Sequence, residues 1–498
     1  MNAAPPFVLA IDQGTSATKC VLVDATGAIV ARGSAPLSES HPRPGWVEQD
    51  PNALWDSVGQ AVAACLIGTD PAAIMGLGLS TQRESVVAWQ RSSGEPIAPL
   101  ISWQDQRTAS VCDRLRTPQT EWLVRERSGL PLDPMFSAAK MAWLLDAFDP
   151  QRSAARSGAV CLGTVDSWLL ARLTGAHLIE AGNASRTQLL DTAGVRWDDE
   201  LLALFDVPRA ALPEIVPSVG PFPAIAGFAP LGAHTRIRSV MADSHAALFA
   251  HGAFAPGSLK VTYGTGSSVM GLLAGPQPVG PGLCFTLAWQ TGEPVFAAEG
   301  NIRATGAALR WLADLLEITP HELVELGAGV PSDGVAFVPA FSGLGAPWWD
   351  LGAAGLITGL TQKCGRAELA RAALDAVVHQ VADVVDAFSA EVGQPKELFA
   401  DGGPTRNSQL MQLQADVAGR PVLRAGDAEL SALGTAHLAG IGAGLWSWSG
   451  LAALPRRRDT FVPALDGAAR AAGRETWHAA IERARFRPAA AQPVGADR

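Results

Sequence analysis

No two cysteines in this 498-residue chain share a metal-binding or redox spacing. Cys20, Cys65, Cys112, Cys161, Cys284 and Cys364 stand far apart and form no CxxC pair. That argues against a disulfide framework or a zinc site and for a reducing compartment. Lysine is scarce, with only Lys19, Lys140, Lys260, Lys363 and Lys396, so arginine is the main base. A net charge of −10 leaves no basic footprint for nucleic acid. No apolar run is long enough to span a membrane, and the N-terminus has no basic region followed by an apolar core. Low-complexity blocks and coiled-coil heptads are also missing. The expectation is a soluble, cytoplasmic protein with a small-molecule partner and neither nucleic acid nor membrane.

What is present is a phosphate-loop pattern that occurs twice. The first copy is Phe7-Val-Leu-Ala-Ile-Asp-Gln-Gly-Thr-Ser-Ala-Thr-Lys-Cys-Val-Leu-Val-Asp24. The second is Leu259-Lys-Val-Thr-Tyr-Gly-Thr-Gly-Ser-Ser-Val-Met-Gly-Leu-Leu273. Each reads as a buried strand, a turn of Gly, Thr and Ser, and a second apolar strand. Glycine brings the backbone close to an anion while its neighbours offer amide and hydroxyl donors. Two such hairpins face to face would hold a nucleoside triphosphate, and a duplication of this kind implies two related lobes. Hydrophobic content of 48 % with 51 Gly and 35 Pro fits a compact α/β enzyme of two or more domains.

Between the hairpins the pattern alternates. Ala28–Leu37 reads as a third strand, and a helix with Asp50 as N-cap and Pro51 in its first turn runs to about Ile67. Ile74–Ser80 and Val86–Trp89 read as strands, and helices are expected near 105–128, 137–148 and 164–173. The interlobe region is placed at about 240–255. The second lobe has expected helices at Asn301–Leu316, Arg366–Val392, Asn407–Ala418 and Ser431–Ala443. Glu397–Asp401 reads as a strand ending in Gly402 and Gly403, where backbone amides would meet an adenosine moiety.

A dozen blocks in order carry a resemblance that runs through nearly the whole chain. They include Asp12-Gln-Gly-Thr15, Gly45-Trp-Val-Glu-Gln-Asp50, Ser80-Thr-Gln-Arg-Glu84, Trp103-Gln-Asp105 and Asn183-Ala-Ser-Arg-Thr187. The second half adds Tyr263-Gly-Thr-Gly266, Pro339-Ala-Phe-Ser-Gly-Leu-Gly-Ala-Pro347 and Asp401-Gly-Gly403. The chain resembles the FGGY carbohydrate kinases, and within them the glycerol kinases most. The resemblance implies an α/β fold of two actin-like, ribonuclease-H-like lobes, with ATP, Mg2+ and a polyol or sugar in the cleft. It also implies phosphoryl transfer to a hydroxyl, a reaction governed by positioning and charge stabilisation. Residues 1–246 are taken as the N-terminal lobe, 247–485 as the C-terminal lobe and 486–498 as a flexible tail; a homodimer or other homo-oligomer is expected.

The resemblance assigns roles residue by residue. Asp243 is the base that accepts the hydroxyl proton, and Asp12 lies beside the metal. Gly14, Thr15, Ser16 and Lys19 on the first loop, and Gly264, Thr265 and Gly266 on the second, face the phosphates. Gly306, Gly402, Gly403 and Asn407 complete the nucleotide side. Arg83, Glu84 and Trp103 hold the acceptor, the carboxylate and guanidinium binding hydroxyls while the indole walls the C–H face. His245 is read as a helix residue, not a second base.

Three positions depart from the glycerol-kinase pattern. Met135 stands where a tyrosine is usual, Ser244 where a glutamine is usual and Ser268 where a phenylalanine is usual. The expected consequence is a larger pocket with two small hydroxyl donors beside the substrate. The reading is therefore an ATP-dependent kinase for a small polyol or ketose, with glycerol not the best acceptor. A pentulose kinase such as a xylulokinase, or a catalytically weak sugar-binding regulator on the same fold, is the alternative. An actin- or chaperone-like ATPase would have no use for Arg83, Glu84 and Trp103.

Overall fold

The computed structural model describes residues 6–232 and 234–487. Most of the expected tail, residues 488–498, and the first five residues therefore lie outside the described residues.

The two phosphate-loop hairpins open two sheets with one plan. In the first, β1 (Phe7–Gln13), β2 (Ala17–Val23) and β3 (Ile29–Pro36) run antiparallel in sequence. Strands β4 (Ile74–Thr81) and β5 (Ile237–Ala242) then continue the sheet in parallel on the other side of β1. The second sheet repeats this with β6 (Leu259–Tyr263), β7 (Ser267–Leu272) and an antiparallel third strand, β9 (Pro294–Ile302). Strands β10 (Leu398–Gly402) and β11 (Val422–Ala425) lie parallel beside β6. Edge strands β8 (Cys284–Gln290) and β12 (Arg458–Phe461) extend it to seven. β1 and β6 are both central; β1 reads as an apolar run up to Asp12, whereas β6 alternates Leu259, Val261 and Tyr263 with Lys260 and Thr262.

Helices cover both sheets. In α1 (Pro51–Cys65) the Asp50 side chain accepts from Asn52 N–H, Pro51 occupies the first turn, and Leu54, Val58, Ala61 and Val62 face the sheet. The helix expected near 105–128 is two: α2 (Ala109–Leu115) and α3 (Pro118–Ser128). Thr117 caps the second, and Pro118, lacking an N–H and crowding the residue before it, restarts the helix instead of continuing it. α4 (Ser137–Phe148) follows. The start of the helix expected at Asn301 is also corrected. Residues 294–302 pair with β7 and β8 as β9, and α6 begins only at Gly306 (Gly306–Leu315), after α5 (Asp243–Ala250) earlier in the chain.

Beyond α7 (Arg366–Glu391) and α8 (Ser408–Ala418), the helix α9 (Leu430–Gly442) leaves the second sheet and returns to the first. It packs on β1, β4 and β5 and crosses α5 at the middle of the molecule. Gly434 makes the crossing possible, since a Cβ there would stand 1.8 Å from Ala246 O. Ser239 Oγ on β5 donates to Thr435 O at 2.8 Å in the same contact. No helix among the described residues is long and apolar enough to cross a membrane.

Candidate active site

The C-terminal ends of β1, β4 and β5 and the turn of the second hairpin meet around a cavity of about 440 Å3. Ligands of open α/β sheets bind at such strand ends. Thr15, Ser16, Arg83, Glu84, Trp103, Met135, Asp243, Ser244, Gly264, Thr265, Gly266 and Ser268 all line it. Twelve residues drawn from six segments of sequence thus share one space.

Asp243 is the first residue of α5, with Ala242 in the capping position, so the Asp is not an N-cap. Its Oδ1 accepts from the Ser244 amide at 2.6 Å and lies 3.4 Å from Arg83 Nε. Burial raises its pKa above the ordinary carboxylate value, and Arg83 opposes that rise. Arg83 reaches three carboxylates: Glu299 at 2.8 Å, Asp243 at 3.4 Å and Glu84 at 3.8 Å. Its charge thereby fixes acidic neighbours, where the sequence suggested it would mainly donate to a ligand. Glu84 sits at φ 61°, a left-handed conformation rare for a side chain of its size, and is held by Arg186 Nε at 2.8 Å. Arg186 is fully buried, stacks over Phe136 and also pairs with Glu299 at 3.0 Å.

The walls are built from both lobes. Trp103 and Met135 join an apolar patch with Leu130, Phe136 and Cys284. Lys140, buried and lowered to about 8 by burial, donates to the carbonyls of Met135 and Phe136 and fixes that loop. Asp133 accepts from the Met135 amide (2.9 Å) and pairs across the cleft with Arg303 (2.6 Å).

The first loop is pinned from below. Gln49 Nε2 donates to Thr15 O at 2.6 Å, and Trp103 Nε1 donates to Thr15 Oγ1 at 3.1 Å. The indole therefore ties the acceptor wall to the phosphate loop. In the second loop, Gly264 O and Thr265 O accept from the Gly306 and Ala307 amides at 3.0 Å. The first turn of α6 thus draws these carbonyls away from the cavity.

The remaining seven expected residues do not line the cavity. Asp12 is half-buried at the end of β1, accepts from Ser80 Oγ at 3.0 Å, and makes no ion pair among the described residues. Burial and the nearby Asp243 push its carboxyl up to about 7. An under-compensated carboxylate facing a phosphate loop fits a divalent cation. Among the described residues no three His, Cys, Asp or Glu side chains converge on a metal position, so ligand oxygens would have to complete the shell. Gly14 bonds Ala17 O across the turn at 3.1 Å. Gly402 lies opposite Tyr263 at φ 98°, where a Cβ would stand 2.0 Å from Tyr263 O. Gly403 faces open space, and Asn407 caps α8 through its Oδ1. Gly306 abuts Gly264. Lys19 is exposed on β2 opposite Asp12, and its side chain makes no hydrogen bond or ion pair among the described residues.

The expected pair of serine donors is corrected. Ser244 Oγ and Ser268 Oγ bond each other at 2.8 Å, and Ser268 donates to Glu299 at 2.7 Å, so these protons are engaged internally. Lys260, Arg186, Glu299, Asn301 and Arg303 belong to the site and were not singled out by the sequence. Arg186 lay inside a quoted block, while Lys260 offered the signal of a lone lysine in a buried strand. His245 is fully buried with neither ring nitrogen bonded, and burial holds it well below its ordinary pKa. A larger hollow of about 840 Å3 at the lobe rim holds Trp122, Trp348 and Trp349. Its Arg116 pairs with Glu121, and Arg485 and Arg487 with Asp350.

The comparisons with known proteins bear on the whole chain. The model of the N-terminal domain of the FGGY family of carbohydrate kinases matches residues 7–249, and that of the C-terminal domain matches 259–443. A glycerol kinase of Citrifermentans bemidjiense is 46% identical over 90% of this chain and 92% of its own length. An apulose kinase of Pectobacterium atrosepticum is 42% identical over 97% of this chain and 99% of its own length. Among solved structures, Plasmodium falciparum glycerol kinase with ADP superposes with a TM-score of 0.88 at 27% identity, covering 97% of this chain and 99% of its own. A xylulose kinase from Rhodospirillum rubrum gives 0.82 at 27% identity, covering 95% and 97%.

Proposed function

The chain belongs to the FGGY family of carbohydrate kinases, and we propose that it transfers the γ-phosphoryl of ATP to a hydroxyl of a small polyol or ketose with Asp243 as base. The observation that carries this reading is the cavity itself. A carboxylate held by Arg83 and its own helix amide shares one space with both Gly-Thr phosphate loops.

Each residue group then has a task. Thr15, Ser16, Thr265 and Gly266 cradle the phosphates, with Gly306, Gly402, Gly403 and Asn407 on the nucleotide side. Arg83, Glu84 and Trp103 orient the acceptor so that one hydroxyl faces Asp243. The carboxylate takes the proton as the oxygen attacks, with Arg83 opposing the rise that burial imposes on its pKa. Asp12 would hold Mg2+, which when bound supplies positive charge to the phosphate oxygens. Six free cysteines agree with a cytoplasmic setting. Ser244 and Ser268 leave their part of the wall small, which favours an acceptor longer than three carbons. That supports a pentulose or branched-ketose substrate as the second reading, in line with the apulose kinase likeness. A purely regulatory role would not need Asp12 and Asp243 together.

The test is ADP release coupled to a panel of polyols and ketoses, with Asp243→Asn beside the wild type. Turnover by wild type that collapses in the variant supports the reading, and equal turnover by both refutes it.

A further inference from the structure

Beneath the cavity the second sheet carries two polar rows. Cross-strand register sets Thr262 opposite Ser268 and Ser268 opposite Asn301, and all three line the cavity. One step deeper, Lys260 faces Met270 and Met270 faces Glu299, and both charged side chains are fully buried. Among the described residues Lys260 has no carboxylate within ion-pair distance. Its ammonium donates instead to Ser244 Oγ, to Thr262 Oγ1 at 3.0 Å and to Ser268 Oγ at 3.4 Å.

Proton counting fixes the direction of every bond in this group. An ammonium only donates, and an ionised carboxylate only accepts. Arg83 and Arg186 hold Glu299 ionised, well below the usual carboxylate range. Ser268 therefore spends its single proton on Glu299 Oε1 at 2.7 Å. The bond between the serines must then run from Ser244 to Ser268, which spends the proton of Ser244 as well. Ser268 Oγ has taken two donors and is full. Ser244 Oγ has taken one, from Lys260, and keeps one lone pair beside Asp243. Burial lowers Lys260 only to about 8, so the ammonium that fills one lone pair of Ser244 is retained at neutral pH.

We propose that Lys260 and Glu299 are specificity-determining positioning residues: the chain Lys260–Ser244–Ser268–Glu299 makes Ser244 Oγ a pure acceptor, which selects substrates with a second, non-reacting hydroxyl that donates to it. This rests on the kinase reading above and deepens it. The acceptor site rejects a methylene, which leaves the oxygen unpaired, and equally rejects a fluorine or carbonyl oxygen, which cannot donate.

The experiment takes the best four- or five-carbon polyol and replaces each non-reacting hydroxyl in turn by hydrogen or by fluorine. At one carbon both analogues should lose about tenfold or more in kcat/KM, with fluorine no better than hydrogen. A fluorinated analogue that keeps the parent rate, or no loss at any carbon, overturns the inference while leaving the kinase assignment intact. Ser268→Ala frees the Ser244 proton, so in that variant fluorine should become the better of the two. Lys260→Met leaves the proton of Ser244 committed to Ser268, so in that variant fluorine should stay no better than hydrogen. Unchanged ratios in folded Ser268→Ala, or a fluorine advantage in folded Lys260→Met, contradict the chain. Absence of turnover with every polyol and ketose would overturn the substrate assignment and this inference together.

Discussion

Asp243 Oδ1 is engaged from two sides, by Arg83 and by the Ser244 amide, while its side chain stays 37% exposed to the cavity. That combination suits a base whose work depends on placement. Asp243→Asn should lower kcat by at least about a hundredfold, the usual worth of a positioned base, and leave nucleotide binding nearly unchanged by calorimetry. A variant keeping a tenth or more of the wild-type kcat would remove Asp243 from that role. Lys260 gives a second prediction at this scale, one of stability. Its pKa falls from 10.5 to about 8 on folding, so the folded protein binds fewer protons between those values. The group's contribution therefore becomes more favourable as pH rises from about 8 towards 10.5, and carries its full burial cost below 8. Lys140 behaves alike, so wild type should show two such slopes and Lys260→Met one. Denaturant titrations at pH 7.5 and 10 would resolve this; an identical pH dependence in both proteins would contradict it. Such buried charges were not legible in the sequence. Lys260 and Glu299 are brought to one row by register across three strands; Lys260 is marked locally only as a lone lysine in a buried strand, and nothing local marks Glu299.

At the scale of elements, what local chemistry dictates could be read directly. The phosphate hairpins, the Asp50–Pro51 helix start and the strand ending at Gly402 all carry their own turn or cap residues. The break between α2 and α3 was a local signal left unread at Thr117 and Pro118, whereas the other misread features are decided by partners. Asn301 lies in a segment that an apolar helix pattern overlaps, yet pairing with β7 makes it a strand and aims its side chain at the cavity. The return of α9 to the first sheet was likewise invisible, because small residues such as Gly434 signal a close crossing only once the opposing helix is known. Gly434→Ala tests that crossing. A methyl 1.8 Å from Ala246 O forces the helices apart, and overpacking of this kind costs roughly 1–3 kcal/mol. Chemical denaturation should show a loss in that range; a neutral effect would mean that the contact yields freely.

For the molecule as a whole, two sheets of one design are joined where α5 and α9 cross, and the cleft between them holds every proposed catalytic group. Arg303–Asp133 and Arg83–Glu299 bridge that cleft, so the lobes are coupled through the same residues that line it. Closure should tighten when nucleotide and acceptor are both bound, since water left in the cavity would compete with the acceptor hydroxyl. Small-angle scattering should record a smaller radius of gyration with both ligands than with either alone, and no change at saturation would contradict a closing cleft. The central claim concerns the acceptor, proposed to be longer than three carbons on the strength of Met135, Ser244 and Ser268 in the cavity wall. Its most direct test is a side-by-side set of kcat/KM values for glycerol, erythritol, xylitol, ribitol, xylulose and ribulose. The account predicts a four- or five-carbon compound ahead of glycerol by about ten- to a hundredfold, the worth of one further hydrogen bond and the apolar contact that accompanies it. Glycerol at the head of that series would contradict it.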